Sequence, residues 1–494
     1  MSCCRFYSSN SPQNQEMKSD QAGVNVDNKE SKAHMIEILI SSFDQKLEKL
    51  SVDPSYSYAA CIYRVSEKLR KANEGAYTPR LVSIGPLHHN QPQLQGMEVS
   101  KLKFMNSFLS RFGIGMHTLV KFAAKEESFV RGCYEGQIDL TVKQLTEVIL
   151  LDGIFIVELF LQNYFSQLRE KSETIFENQW MHNNLLHDMM LIENQLPIRI
   201  MKSLMDFVDL SFLNEGTVLT IYDLALSFFK NVGNTHKVAL TARCYNARHF
   251  VEFLLSLHAP PVRSLHAPPV RSRDTEKPRK KTAPARKFEY TRTATELQEA
   301  GVRFRGGKAD CLLEVSFFLP GDGNGGCLFE VLCERGGELT IPKLRVDELT
   351  ETFFRNLVAF EQLGHFGYFS KYITSYVILM DSFIDTPGDV DLLVYHDIID
   401  NKLGDSQQVA NLFNNLHKVV VTEANDFYFA ELCIDLNEYR KDWLHQWKAR
   451  WFRSKVMLRK NYFSNPWSFL SLAAATVLLI LTVIQTVCSI LQVQ

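Results

Sequence analysis

Two histidines stand side by side in "YTPRLVSIGPLHH", and His88 and His89 have the side chains best suited to acid–base or metal chemistry. Adjacent residues on an extended chain point to opposite faces, and on a helix they diverge by about 100°, so one metal seldom takes both. No HExxH pair is present to supply zinc ligands from a single helix face. A turn closed by structural hydrogen bonds is the competing reading. Glu98, Asp152, Glu193 and Asp381 could act as general acids or bases, but spacing alone does not put two of them across a substrate. Helix surfaces and caps are the default role for such carboxylates.

The glycine-rich stretches fare no better as phosphate sites. "PGDGNGG" (320–326) has the flexibility to cradle a phosphate, yet "CLFEVLCE" after it reads as a strand, so a helix N-terminus is missing and a hairpin turn fits better. "GVRFRGGKA" has Val302 where a P-loop needs its first glycine and Ala309 where magnesium needs Ser or Thr. There is no GxSxG nucleophile elbow and no CxxC pair. No catalytic, metal or cofactor-binding residue is therefore assigned, and no cofactor is implied. Trp443, Trp447 and Trp451 recur among Lys and Arg, which suits a membrane interface at least as well as stacking on nucleic acid.

The elements that must position these residues follow from composition and periodicity. With 494 residues and 46% apolar composition the chain can bury a large core. Its 54 Lys and Arg nearly balance 56 Asp and Glu, so nucleic acid is not expected as a partner. The ten cysteines are scattered, which points to a reduced compartment, with Cys3 and Cys4 open to acylation.

Residues 1–33 are polar enough to stay disordered. Helical spacing starts at Ile36, Ile40 and Phe43, and residues 34–230 read as a helical part. "DLTVKQLTEVILLDGIFIVELFLQNYF" is apolar enough to suggest a membrane, but Glu147, Asp152 and Glu158 make it a buried core helix. In "HDMMLIENQLPIRIMKSLMDFV", Pro197 splits two helices and leaves Glu193, Asn194 and Gln195 to satisfy free backbone groups at the break.

Residues 231–295 read as a Pro-rich, basic linker containing the tandem octapeptide "SLHAPPVRSLHAPPVR". Its basic run is a solvated linker, a nuclear-localisation signal or a contact for anionic lipid. Residues 296–447 read as α+β, with "CLLEVSFFLP", "GCLFEVLCE" and "GELTIPKLRV" as strands of a small antiparallel element. The expected class is mainly α with that element and one C-terminal transmembrane helix.

The last expectation rests on "NPWSFLSLAAATVLLILTVIQTVCSILQVQ", in which residues 467–494 hold no charged side chain. Phe469, Leu470, Leu478, Leu479, Ile480, Leu481, Ile484 and Ile490 are its membrane-facing candidates, and a 23-residue helix from Phe469 to Leu491 would span about 30 Å of hydrocarbon. The preceding segment, 448–466, carries Lys448, Arg450, Arg453, Lys455, Arg459 and Lys460 without an acid, so the positive-inside rule puts the body in the cytosol. No Asn begins an N-x-S/T sequon, which agrees. The sequence expectation is thus a single-pass, tail-anchored protein whose partners are the bilayer and another protein, in a plasma membrane or an endomembrane.

Many segments, in order, carry a family resemblance: "IYRVSEKLRKANEGAYTPRLVSIGPLHH", "LLDGIFIVELF", "LIENQLPIRIM", "ATELQEAGVRF", "LTIPKLRVDELTETFFRNLVAFEQ" and "ITSYVILMDSFIDTPGDVDLL", followed by the apolar tail. Together they resemble the plant family called domain of unknown function 247 over about residues 40–491. The resemblance implies a flowering-plant source, a largely helical body and a C-terminal membrane span. It supplies no catalytic residue. Because some relatives are implicated in grass self-incompatibility, it implies an interaction or recognition module, the alternative being a membrane-bound enzyme that uses His88 or His89.

Overall fold

The computed structural model describes residues 34–44, 60–169, 175–211, 219–233, 239–260, 289–309, 311–318, 337–363, 371–418, 427–441, 474, 477–482 and 484–485. The chain divides into two units, Met1–Ala59 and Ala60–Gln494. In the first, 34–44 form helix α1. Its Met35, Ile36, Leu39, Ile40 and Phe43 make one apolar stripe, because residues three and four apart share a helix face. All five are exposed.

In the second unit, α2 (Glu67–Ala72) leads into a long loop that carries the histidine pair. The helices α3 (Gly96–Phe112), α4 (Met116–Gly132), α6 (Gln179–Met189), α7 (Ile198–Met205) and α8 (Ile221–Phe228) surround α5 (Val142–Tyr164), with α3, α4, α7 and α8 packing directly on it. Thr141 starts α5 through a reciprocal capping box with Gln144, which satisfies two otherwise free donors at the helix start. From Ile149 onward the helix is buried almost all round. At Gly153 an added Cβ would lie 2.8 Å from Leu204 Cδ1, so a glycine here lets α7 close on α5.

Its carboxylates explain why so greasy a helix is a core element. Asp152 pairs with Lys101 and Glu158 with Arg111, both cations coming from α3, while Glu147 faces solvent. Buried charges persist only when paired and hydrogen-bonded.

The chain continues through α9 (Phe250–His258), a buried helix inside the 231–295 stretch, and α10 (Ala294–Glu299). Strands β1 (Arg303–Gly307), β2 (Ser316–Phe318) and β3 (Glu338–Pro342) form one sheet in the order β1-β3-β2. The second pairing joins β4 (Leu344–Val346) to β5 (Ile399–Asn401). Helices α11 (Thr350–Leu363), α12 (Tyr372–Phe383), α13 (Pro387–Tyr395), α14 (Ser406–His417) and α15 (Ala430–Lys441) complete the unit. Asp389 fastens α10 to α13: it accepts from Thr386 N (3.0 Å) in a capping box and from Thr295 N (2.9 Å) and Oγ1 (2.6 Å).

The mainly helical expectation holds, with two corrections. The sheet is mixed: β3 runs antiparallel to β2 but parallel to β1, and β4 is parallel to β5. Alternation of apolar and polar residues reports which face is buried and carries no information on strand direction. "GCLFEVLCE" and "PGDGNGG" lie outside the described residues.

The C-terminal transmembrane helix is the second correction. Among the described residues no helix is long and apolar enough to cross a membrane. In the tail, Leu478, Leu479, Ile480, Leu481 and Ile484 are helical and exposed. Phe469, Leu470 and Ile490 lie outside the described residues, as do the basic-flank residues Lys448, Arg450, Arg453, Lys455, Arg459 and Lys460. The structure therefore does not support the single-pass, tail-anchored placement or the orientation drawn from it.

Candidate functional site

The motif residues converge on the turn between α6 and α7, where "HDMMLIENQLP" (187–197) meets "RLVSIGPLHH" (80–89). Asp188, near the end of α6, is fully buried and accepts the backbone N–H groups of Arg80 (2.8 Å), Leu81 (2.7 Å) and Val82 (2.8 Å). His187 places Nδ1 2.8 Å from Asp188 and Nε2 3.1 Å from the Gly75 carbonyl. One carboxylate thereby orders three successive loop residues that have no strand partner of their own.

The break at Pro197 extends the same arrangement. Asn194 Oδ1 accepts from Ile84 N (2.7 Å), and Nδ2 donates to the Asp188 and Val82 carbonyls (both 3.0 Å). Gln195 Nε2 donates to the Met189 and Leu191 carbonyls (both 2.8 Å), while Oε1 accepts from Phe250 N, the first amide of α9 (2.9 Å). Free groups at the end of one helix and the start of another are thus satisfied by a single side chain. Gly85 (φ 74) closes against it: a Cβ there would meet the Gln195 carbonyl oxygen at 2.5 Å and the Tyr134 hydroxyl at 2.6 Å.

His88 and Glu193 do come together. Both are buried, with His88 Nε2 3.5 Å from Glu193 Oε2. Glu193 also binds Arg70 Nη2 (2.5 Å) and Val65 N (2.7 Å). Burial pushes the Glu193 carboxyl up, but His88, Arg70 and the Val65 amide outweigh this and hold it below the usual range. Gln91 Nε2 donates to His88 Nδ1 (2.9 Å), which places the ring proton on Nε2, facing the carboxylate. Nδ1 is engaged by Gln91, while Nε2, 3.5 Å from Glu193, makes no hydrogen bond among the described residues. The dyad orients a loop.

His89 is half-buried at the surface of the turn. Glu98 and Asp152 share Lys101, whose Nζ lies 2.7 Å from Glu98, 2.6 Å from Asp152 and 2.6 Å from the Ser83 carbonyl. Desolvation lowers the Lys101 pKa, yet its oxygen acceptors win and it ends raised, so this ammonium is held charged. Asp381 is remote from this cluster and faces His417 at 3.6 Å. A small cavity, with room for about one water-sized sphere, is lined instead by Asn231, Gly233, Arg345, Asp347, Thr350 and Phe353. Among the described residues no group of three His, Cys, Asp or Glu could hold a metal.

Sequence reasoning missed Asp188, Lys101, Arg70 and Asn356, which accepts from Ile192 N (3.0 Å) and donates to the Ala76 carbonyl (2.8 Å). A signal existed for Asp188 and Lys101. Each is a charge embedded in an apolar helical repeat, the pattern that made Asp152 a paired core charge.

Buried titratable groups elsewhere give the fold a defined pH response. Burial lowers the His249 and His258 pKa values from 6.5 to about 4 and raises Glu361, which caps α12 at Ile373 N and Thr374 N, from 4.5 to about 7. For each histidine the unfolded chain binds the proton first, so stability present above pH 6.5 is lost as pH falls through about 4. Glu361 has the opposite sign: its contribution is full below pH 4.5 and is lost as pH rises through about 7. The ring nitrogens of His258 have no hydrogen-bond partner among the described residues, so His258→Leu orphans nothing there. Urea midpoints between pH 7 and 4 should show roughly 3 kcal/mol less acid destabilisation in that variant. An unchanged acid limb would mean that His258 is protonated in the folded state.

With this geometry in place, the class is a helical body whose motif residues hold its turns. The chain matches the family model for a plant protein of unknown function, domain of unknown function 247, over residues 62–481, and it belongs to that family. It is similar to UPF0481 protein At3g47200 of Arabidopsis thaliana, with 27% identity over 445 residues covering 88% of this chain and 87% of the relative. It is also similar to putative UPF0481 protein At3g02645 of the same plant, with 24% identity over 528 positions covering 90% of this chain and 92% of that relative. No solved structure matches.

Proposed function

We propose that this protein works by binding a protein partner, and that α1 is the element that enters an apolar groove on that partner. The observation that carries the reading is the exposed stripe of Met35, Ile36, Leu39, Ile40 and Phe43 on a helix of 11 residues. So short a helix is marginal alone and gains its stability by burying such a face. Exposed contiguous apolar surface marks interaction sites, and an apolar helix face, widened here by the exposed Ile38, fits the helix-in-groove mode. Its polar side carries Glu37 and Asp44, so the groove is rimmed by basic side chains rather than by anionic lipid.

A photocrosslinker at position 38 of the full chain identifies the partner. The double variant Leu39→Asp/Phe43→Asp should then weaken its retention about a hundredfold, since each lost apolar anchor contributes roughly 1.5 kcal/mol. The urea midpoint of the body should not move. Undiminished retention, or a lowered midpoint showing α1 to be an internal packing element, would reject the proposal.

A further inference from the structure

Cys61 and Cys133 are both buried and meet across a short parallel bridge. The bridge pairs Ile62 with Tyr134, and Cys133 O accepts the amides of Cys61 (2.9 Å) and Ile62 (3.0 Å), while Glu135 N donates to Ile62 O (2.9 Å). Cys133 is the C-cap of α4 in helical conformation, and the bond from Cys61 N to its carbonyl sets the two residues side by side. A disulfide accommodates Cα atoms roughly 4.4–6.8 Å apart, a separation compatible with such direct backbone contact. Each thiol shifts the ionisation of the other, raising Cys61 and lowering Cys133.

We propose that Cys61 and Cys133 form a reversible disulfide when the protein meets a peroxide, locking the chain around residue 61 to the C-terminal end of α4. Cys133 is the attacking sulfur. The neighbouring Cys61 thiol and the nearby Arg248 and Arg199 favour its thiolate against the effect of burial, while Cys61 is held as the thiol. The Cys133 thiolate attacks a peroxide oxygen, the O–O bond breaks, and hydrogen peroxide leaves one oxygen on sulfur and releases water once the departing hydroxide takes a proton. Cys61 sulfur then attacks the sulfenic sulfur, the S–S bond forms, and the second water departs with the Cys61 proton. Two thiols lose two electrons to one peroxide, and a dithiol reverses the change. Burial limits the rate to moments when this end of the chain opens.

The full chain is treated with hydrogen peroxide, blocked with an alkylating agent under denaturing conditions and mapped without reductant. The expected product is one crosslinked peptide pair, Cys61 with Cys133, that dithiothreitol reverses. Cleavage by thermolysin near residue 61 should slow about tenfold in the oxidised protein. Cys61→Ser and Cys133→Ser should each abolish both changes, with Cys61→Ala as a second replacement should a serine hydroxyl be unstable in this apolar site. Quantitative alkylation of both thiols after peroxide, oxidation of Cys133 to sulfinic acid without a crosslink, or a crosslink to another cysteine would each overturn the proposal.

Discussion

Asp188→Ala leaves no stably folded body at neutral pH. The carboxylate holds three backbone amides and His187 in a site closed to water. A hydrogen bond to a charged group contributes about 1.5–3 kcal/mol, and buried donors left unpaired cost more, so the loss is on the order of 5 kcal/mol. That approaches the whole stability of a typical domain, about 5–15 kcal/mol. Asp188→Asn separates geometry from charge. Its amide oxygen can still serve Leu81 and Val82, but its NH2 group confronts the Arg80 amide, so a loss of roughly 3 kcal/mol is expected. Urea unfolding followed by circular dichroism checks both, and near-wild-type stability of Asp188→Ala would remove the carboxylate from the account.

The second large effect is at Lys101. Lys101→Met deletes the cation from the Asp152 pair and leaves a buried carboxylate supported chiefly by the Gly85 amide at 2.8 Å. Breaking a buried pair from one side costs about 3–5 kcal/mol, whereas replacing both members with apolar side chains is often close to neutral. Lys101→Met/Asp152→Leu should therefore recover much of what the single variant loses. Burial already pushes the Asp152 carboxyl up, and Lys101 opposes it. Without that cation its pKa rises further, so the single variant should lose stability as pH rises. Urea midpoints at pH 5 and pH 8 test this, and a double variant no better than the single one would mean that Lys101 acts by packing alone.

The sequence made the scaffold legible wherever the signal was local. The carboxylates Glu147, Asp152 and Glu158 inside its apolar run identified α5 as a core helix. Pro197 marked the break at which Glu193, Asn194 and Gln195 act. The long-range partners were not legible. Asp188 reaches amides more than a hundred residues away in sequence, and Asn356 reaches Ala76 across 280. Nothing in the local pattern of "LLHDMM" specifies those addresses. The direction of β1 against β3 was hidden for the same reason, since pairing between distant strands leaves no mark in alternation. At 231–295, the doubled Pro-rich octapeptide dominates the composition and obscures α9, whose last residues Ser256, Leu257 and His258 begin the first copy. In the tail, hydropathy recorded a strong apolar preference, but no helix among the described residues is long and apolar enough to cross a membrane.

The central claim is that the family motifs are fasteners of the fold. Amide hydrogen exchange on the full-length protein, read at Val65, Leu81, Val82, Ile84, Gly85 and Phe250, tests it most directly. These amides are held by Glu193, Asp188, Asn194, Asp152 and Gln195. The account predicts that all six exchange only with global unfolding, at the slowest rates in the body. Fast exchange at residues 81–85 while α5 stays protected would reveal a loop that opens independently, as an active-site loop does, and would contradict it.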